Sequence, residues 1–102
     1  MEKSSRVDFE LLNGTVELTL NFYDLNRLRT KHKKEYDRYF EIAKHGTISD
    51  LDAVDILYVA YLCANLDSMP DVMSYEEFLQ NMNTGRARVW KAYNALNSDI
   101  KN

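Results

Sequence analysis

The segment DAVDILYVAYLCANL, residues 52–66, is the most apolar stretch of this 102-residue chain and decides where its core lies. Between residues 53 and 64 the only charged side chain is that of Asp55. A transmembrane helix needs about 20 apolar residues, and this run is too short. Asp50 and Asp52 also place negative charge at its start. The sequence therefore predicts a helix that is buried inside a soluble domain.

The same stretch carries the signals of a helix with a defined start. Ser49 precedes it and Asp52 stands three residues later, which is the spacing of a capping box. A helix that is apolar all round lies at the centre of a core or is shared with a partner. One face comprises Leu51, Val54, Tyr58, Tyr61 and Leu62, and the opposite face comprises Ile56, Val59, Ala60 and Cys63.

A β-hairpin is predicted near the N-terminus, where apolar and polar residues alternate on both sides of Asn13-Gly14. Asn-Gly is the preferred pair for a two-residue type I′ turn. That turn would place Leu11 opposite Val16 and Phe9 opposite Leu18. The register puts all the alternating apolar residues on one face. They are Val7, Phe9, Leu11, Val16, Leu18 and Leu20.

The remaining sequence predicts further helices separated by loop signals. Asn21 is a suitable N-cap for a long first helix, and Gly46 follows that helix where a left-handed residue is expected. Pro70 breaks the next segment, and Ser74 with Glu77 forms a second capping box. The predicted fold is a single α+β domain over residues 1–102, mainly α. Its N-terminal hairpin (about 6–20) packs on about four helices (about 22–44, 50–65, 75–82 and 85–97), and residues 98–102 form a frayed tail.

The charge is divided into blocks along the chain, although the net value is only −3. Residues 22–44 carry seven basic and four acidic groups (+3), and residues 45–85 carry seven acidic groups and no basic one (−7). Blocks of opposite sign favour electrostatic packing, within one chain or between copies. The start of the chain has no apolar signal segment, and the lone Cys63 suits a reducing compartment.

The sequence offers no pattern for catalysis, metal binding or a cofactor, and an enzyme is not expected. His32 and His45 are thirteen residues apart, and neither has a metal-ligand spacing with Cys63. The aspartates at 50, 52 and 55 lack the further oxygen ligands and the central glycine of a calcium loop. Favourable contact of carboxylates with the helix start is the simpler interpretation.

A basic cluster on the first predicted helix is a candidate for self-association. Arg27, Lys31, Lys34 and Arg38 share one helix face and could pair with the acidic middle segment of a neighbouring copy. Binding of nucleic acid is the alternative, but acidic residues interrupt the cluster. Asp8 and Glu10 on the outer side of the hairpin are the other candidates, because they limit free aggregation at its edge and leave backbone groups for controlled pairing.

Aromatic side chains are the candidates for binding a partner. The chain has seven tyrosines and one tryptophan. Tyrosine and tryptophan are favoured at interfaces, where one end of the side chain is apolar and the other is hydrated. The interpretation as residues at the edge of the core remains open beside this one. The candidates are Tyr36, Tyr39, Tyr58, Tyr61, Leu62, Trp90 and Tyr93.

Three stretches together resemble the tail assembly chaperones of long-tailed bacteriophages and prophages of Gram-positive hosts. They are VELTLNFYDLNRL (16–28), MSYEEFLQNM (73–82) and VWKAYNAL (89–96). The first stretch has the strand that runs into a helix through an F-x-x-L-x-x-L pattern. The apolar helix at 52–66, which lies between the first and second stretches, fits the same layout. The likeness covers about residues 15–97 and includes no catalytic motif.

The resemblance implies a non-enzymatic role in the cytoplasm of the host during phage assembly. Such chaperones bind the tape-measure protein, a long helical chain with hydrophobic stretches, and keep it soluble and extended while the tail tube forms. The resemblance also implies the tail tube protein as a further partner, and a homo-oligomer. Two other functions remain open: a small nucleic-acid-associated phage regulator, and a small structural tail or connector component.

Overall fold

The computed structural model describes residues 6–46, 48–68, 71–82 and 85–101 and confirms the predicted fold class, mainly helical with an N-terminal hairpin. The hairpin and the first two helices form the N-terminal half, and the apolar helix and two more helices form the rest. The elements are β1 (Arg6–Leu11), β2 (Gly14–Thr19), α1 (Phe22–Lys31), α2 (Lys33–Ala43), α3 (Asp50–Ala64), a 3₁₀ turn (Leu66–Ser68), α4 (Tyr75–Gln80) and α5 (Arg86–Lys101).

Helix α3 is the centre of the domain, as its all-round apolar pattern predicts. Every residue from Ala53 to Cys63 is buried, and α3 packs against β2, α1, α2 and α5. The predicted capping box is present: the Asp52 N–H donates to Ser49 Oγ (3.1 Å), and the Ser49 N–H donates to the Asp52 carboxylate (3.2 Å). Among the residues of the two predicted apolar faces, only Leu51 is mostly exposed, at 72%.

The hairpin has the predicted inner face, but its register is shifted by two residues. Phe9 pairs with Val16 rather than Leu18, so the turn residues are Leu12 and Asn13. Among the described residues only glycines have positive φ, and here Gly14 takes it (134°). A shift of two preserves the alternation of side chains, whereas a shift of one would reverse it. All six predicted apolar residues therefore still belong to the core or pack against it.

The first predicted helix is broken into α1 and α2 at His32, whose φ and ψ are −139° and 65°. The sequence holds no proline or glycine at this position. The break changes the direction of the chain, and both α1 and α2 pack on α3.

The C-terminal part contains the second predicted capping box, whereas the predicted helix breaker Pro70 lies outside the described residues. The Glu77 N–H donates to Ser74 Oγ and the Ser74 N–H donates to the Glu77 carboxylate, so the second capping box is present. Gly46 has the expected positive φ, at 36°. Helix α5 extends to Lys101, four residues beyond the predicted end, and packs on α3 and β1.

Candidate partner-binding surface

Three of the seven predicted partner-binding residues lie inside the core. Tyr58, Tyr61 and Leu62 are all less than 9% exposed. The hydroxyl groups of both tyrosines are bound to one residue: Tyr58 donates to the Met73 carbonyl (2.9 Å), and Tyr61 accepts from the Met73 N–H (2.8 Å). The predicted surface role of these three residues does not hold in the folded chain, because all three are buried. The 71–82 segment covers Tyr58 and Tyr61 through Met73 and Phe78.

The other four aromatic candidates are half-buried in two pairs. The rings of Tyr36 and Tyr39 are 6.3 Å apart on α2, and those of Trp90 and Tyr93 are 5.2 Å apart on α5. Burial raises the pKa of Tyr39, so its hydroxyl is a hydrogen-bond donor at neutral pH. All four pack against the core and keep one edge exposed. This is the placement expected of residues at the edge of a core, and Trp90 also lines the groove described below.

Two of the four residues of the predicted basic face are paired within the chain. Arg27 pairs with Asp24 on α1 and with Asp67 in the 3₁₀ turn (3.2 and 2.5 Å). Arg38 pairs with Asp55 on α3 (2.5 Å). The opposite charges of the two sequence blocks are thus matched inside one molecule at these positions.

The remaining self-association candidates are exposed. Lys31 and Lys34 lie on the surface and form no ion pair among the described residues. Asp8 and Glu10 are exposed on the hairpin, and Glu10 pairs with Arg88 of α5 (3.2 Å). These positions are available to a neighbouring molecule, but they do not form a single patch of one sign.

An apolar groove that the sequence did not predict lies where three helices meet. Its volume is about 290 Å³. It is lined by Leu51 and Val54 of α3, Leu79 and Met82 at and beyond the end of α4, and Val89 and Trp90 of α5. Leu51 is mostly exposed and Leu79 is 37% exposed, so the groove presents large apolar side chains to solvent. We call this surface the α3–α4–α5 groove.

One carboxylate fixes the polar rim of the α3–α4–α5 groove. Asp50 accepts the indole N–H of Trp90 (2.6 Å) and pairs with Nε of Arg86 (2.7 Å). These bonds orient the Trp90 ring at the floor of the groove and place one acid and one base beside it. The sequence signal for the groove is weak. Leu51 shares its predicted face with residues that are buried, such as Tyr58 and Tyr61, and the three-residue spacing of Leu79 and Met82 is too short a pattern to interpret.

A second pocket, of about 400 Å³, lies between α2, α3 and α4 around the buried carboxylate of Asp55. Arg38 donates to Asp55 from Nε (3.0 Å) and Nη2 (2.5 Å), and the Tyr75 hydroxyl donates to its other oxygen. Burial and the bond to Asp55 raise the pKa of Tyr75 to about 12. The cluster links α2, α3 and α4 through one carboxylate.

In the part of the chain that the structure describes, no group of three or more His, Cys, Asp and Glu residues could hold a metal ion. Within the same residues, no helix has both the length and the apolar character needed to cross a membrane.

Comparison with protein-family profiles, curated proteins and solved structures finds no match to this chain.

Proposed function

We propose that this protein is a non-enzymatic tail assembly chaperone of a long-tailed phage or prophage, which binds a hydrophobic helical stretch of the tape-measure protein in the α3–α4–α5 groove. The motifs at 16–28, 73–82 and 89–96 support the family. The observation that carries the binding role is the exposure of Leu51 (72%) on the most apolar helix of the chain. Leu51 and Leu79 expose apolar surface within one concavity, and a contiguous exposed apolar patch favours an interaction site.

The chemistry of the groove suits an amphipathic helix. Helix-in-groove recognition uses apolar anchors of the bound helix at spacings of three and four residues. Leu51, Leu79 and Trp90 come from three different helices and provide apolar contacts along one concavity. Met82 adds a flexible side chain that adapts to different anchors. A client with repeated hydrophobic stretches can be held this way without reading a unique sequence.

The charges at the rim agree with a helical client rather than with nucleic acid. Asp50 and Arg86 flank the apolar floor with opposite signs. A helix whose apolar stripe is bordered by mixed charges would complement both of them. The alternative of nucleic-acid binding is weakened, because Arg27 and Arg38, two of its four cations, are paired with carboxylates of the same chain.

Co-expression with the tape-measure protein of the same phage or prophage is the direct test. We expect the wild-type chain to keep the client soluble and to co-purify with it. Leu51→Glu places a charge in the groove and should weaken binding at least about tenfold, which corresponds to about 1.4 kcal/mol. Because Trp90 is the only tryptophan, its fluorescence reports occupancy of the groove directly when the client segment lacks tryptophan.

Phe22→Glu is the matched control. Phe22 and Leu51 both lie in the first turn of a helix and are both more than 70% exposed, but Phe22 is outside the groove. An acidic residue is favourable in a first turn, so neither substitution should unfold the chain. Insoluble client with nothing co-purified would overturn the chaperone function. Equal loss in both variants would leave the chaperone function standing and remove the groove as its site.

The proposed role carries three further expectations. The protein acts in the cytoplasm of the host cell during assembly, it forms a homo-oligomer, and it meets the tail tube protein when the tube polymerises around the client. Light scattering of the purified chain measures the oligomeric state, and addition of tube protein to the chaperone–client complex measures release.

A further inference from the structure

We infer that the outer edge of β1 is a self-association site, at which the β1 strands of two copies of this chain pair antiparallel about a two-fold axis. We call this site the β1 edge: the side of strand Arg6–Leu11 that faces away from β2. Pairing would join the two hairpins into one four-stranded sheet. The inference supplies an interface for the homo-oligomer expected above, but it does not depend on the chaperone function.

The β1 edge presents main-chain groups that are free to bind another strand. The residue pair that flanks the two-residue turn is hydrogen-bonded, and hydrogen-bonded and non-hydrogen-bonded pairs alternate from there along the hairpin. The N–H and C=O groups of Arg6, Asp8 and Glu10 therefore point away from β2. On the same side, the Leu12 N–H is bonded to the Asn81 carbonyl (2.7 Å). Within the described residues, no backbone group outside the hairpin is bonded to the other three.

The β1 edge also has space beside it. Asp8 and Glu10 are exposed, and a groove of about 330 Å³ lies between β1 and α5. The α5 wall of this groove includes Ala92 and Ala95, whose small side chains leave room for a backbone to approach. The opposite edge of the sheet is less accessible, because β2 packs on α3 and its last residue, Thr19, is fully buried.

The charges on β1 select a second β1 strand as the occupant. Charges on an edge strand commonly prevent pairing, but charges of both signs can make an edge complementary to itself. With Val7 on the two-fold axis, Arg6 of each copy lies opposite Asp8 of the other, and no like charges are directly opposed. With Arg6 or Asp8 on the axis, two identical charges would face each other. With Phe9 on the axis, Asp8 would face Glu10 twice. The sequence of the strand therefore favours the register centred on Val7.

The geometry of this register agrees with a closed dimer. Arg6 lies on the outer face, where it pairs with Glu17 across the hairpin (3.2 Å), and Asp8 of the second copy would reach the same face. A two-fold pairing closes after two copies, whereas pairing of β1 with β2 of the next copy would continue into a filament. A hairpin of two strands is only marginally stable, so the larger sheet would also stabilise the fold.

Cysteine crosslinking tests the strand and the register together. Val7→Cys places a thiol on the two-fold axis, at a non-hydrogen-bonded position where opposite Cα atoms lie about 4.5 Å apart. That separation permits a disulfide. We expect a disulfide-linked dimer under mild oxidation, formed at least about tenfold faster than for Val16→Cys, because pairing holds the two thiols at high effective concentration.

Val16→Cys is the matched control, because Val16 is also a half-buried valine on the inner face of the hairpin but belongs to β2. The wild-type chain, whose only thiol is the buried Cys63, should not crosslink. Equal crosslinking of Val7→Cys and Val16→Cys would overturn the inference.

Analytical ultracentrifugation of the full chain measures the association itself. We expect the wild type to form a dimer. Asp8→Arg places an arginine opposite Arg6 of the second copy and should raise the Kd of the dimer at least about tenfold. Thr15→Arg is the control, since it adds the same side chain at an exposed position on the outer face of β2 and should leave the Kd unchanged.

The remaining outcomes are decisive in the same way. A wild-type chain that stays monomeric at its highest soluble concentration would overturn the inference, and so would a dimer that Asp8→Arg does not weaken. If circular dichroism shows that Val7→Cys does not fold, the comparison of Asp8→Arg with Thr15→Arg decides alone. Leu51→Glu should leave the dimer intact, so a failure of client binding and a failure of self-association are separate results.

Discussion

At the scale of single residues, Asp55 shows how one carboxylate can be kept in an apolar helix. It lies within the most hydrophobic run of the chain and is 7% exposed. Arg38 supplies two hydrogen bonds from α2, and Tyr75 supplies one from α4. A buried charge without a partner is strongly unfavourable, so this residue depends on both neighbours.

Arg38→Ala should therefore lower the free energy of unfolding by about 1–3 kcal/mol. This loss is smaller than the usual cost of breaking a buried ion pair, because Arg38 itself is about half exposed and water can replace part of its contact. Urea unfolding at neutral pH measures the change. Lys34→Ala, a substitution of an exposed cation on the same helix, should change stability by less than about 0.5 kcal/mol. Equal effects of the two substitutions would show that the Arg38–Asp55 pair contributes nothing specific.

At the scale of elements, the sequence of the hairpin is compatible with a turn at Asn13-Gly14 or at Leu12-Asn13, and the second one forms. A type I′ turn at Asn13-Gly14 would need positive φ at both residues. The structure instead has positive φ at Gly14 alone, and places Leu12 and Asn13 in the turn. Bonding of the Leu12 N–H to the Asn81 carbonyl holds this turn against the end of α4.

Gly14→Ala should cost about 1–2 kcal/mol, because an L-residue at a φ of 134° is strained. The cost is conformational, since a Cβ at this position would meet no atom within 4 Å. Asn13→Ala is the informative comparison. With negative φ at Asn13 it should change stability by less than about 0.5 kcal/mol, whereas a type I′ turn would lose about 1 kcal/mol or more, because it needs positive φ at this residue. Thermal unfolding of both variants distinguishes the two turns.

At the scale of the whole molecule, Cys63 reports global stability. Its side chain is buried on α3, and burial raises the pKa of its thiol from 9.0 to about 12. The thiolate is the reactive form, so the folded chain should resist thiol reagents and react only through unfolding. A more stable chain should therefore be labelled more slowly by a chromogenic disulfide. Urea at concentrations well below the unfolding midpoint lowers stability and should increase the labelling rate.

The same burial makes stability depend on alkaline pH. The folded state keeps the Cys63 proton where the unfolded state loses it, so its contribution is complete below about pH 9 and declines as pH rises toward 12. Tyr58 and Tyr75, whose pKa values are raised to about 12, act in the same direction above about pH 10. Cys63→Ala should remove the decline that begins near pH 9 and keep the one that begins near pH 10. Urea unfolding across this range measures both.

The sequence by itself determined the features that depend on neighbouring residues. The caps at Ser49 and Ser74 and the terminating glycine at Gly46 were predicted because their hydrogen bonds and φ angles are local. The inner face of the hairpin and the burial of α3 were predicted because periodicity alone decides which residues can face a core. These features were sufficient to derive the fold class.

Only the tertiary structure decided the features that depend on contacts distant along the chain. The hairpin register is accompanied by the contact between Leu12 and Asn81, and the break at His32 is accompanied by the packing of both α1 and α2 on α3. From the sequence, Tyr58 and Tyr61 fit either a core or an interface, and the position of residues 71–82 decides between the two. The α3–α4–α5 groove, with Leu51 at its edge, exists because three helix ends converge. No local sequence pattern indicates which segment covers a given apolar face, because packing between distant elements decides which segment lies there.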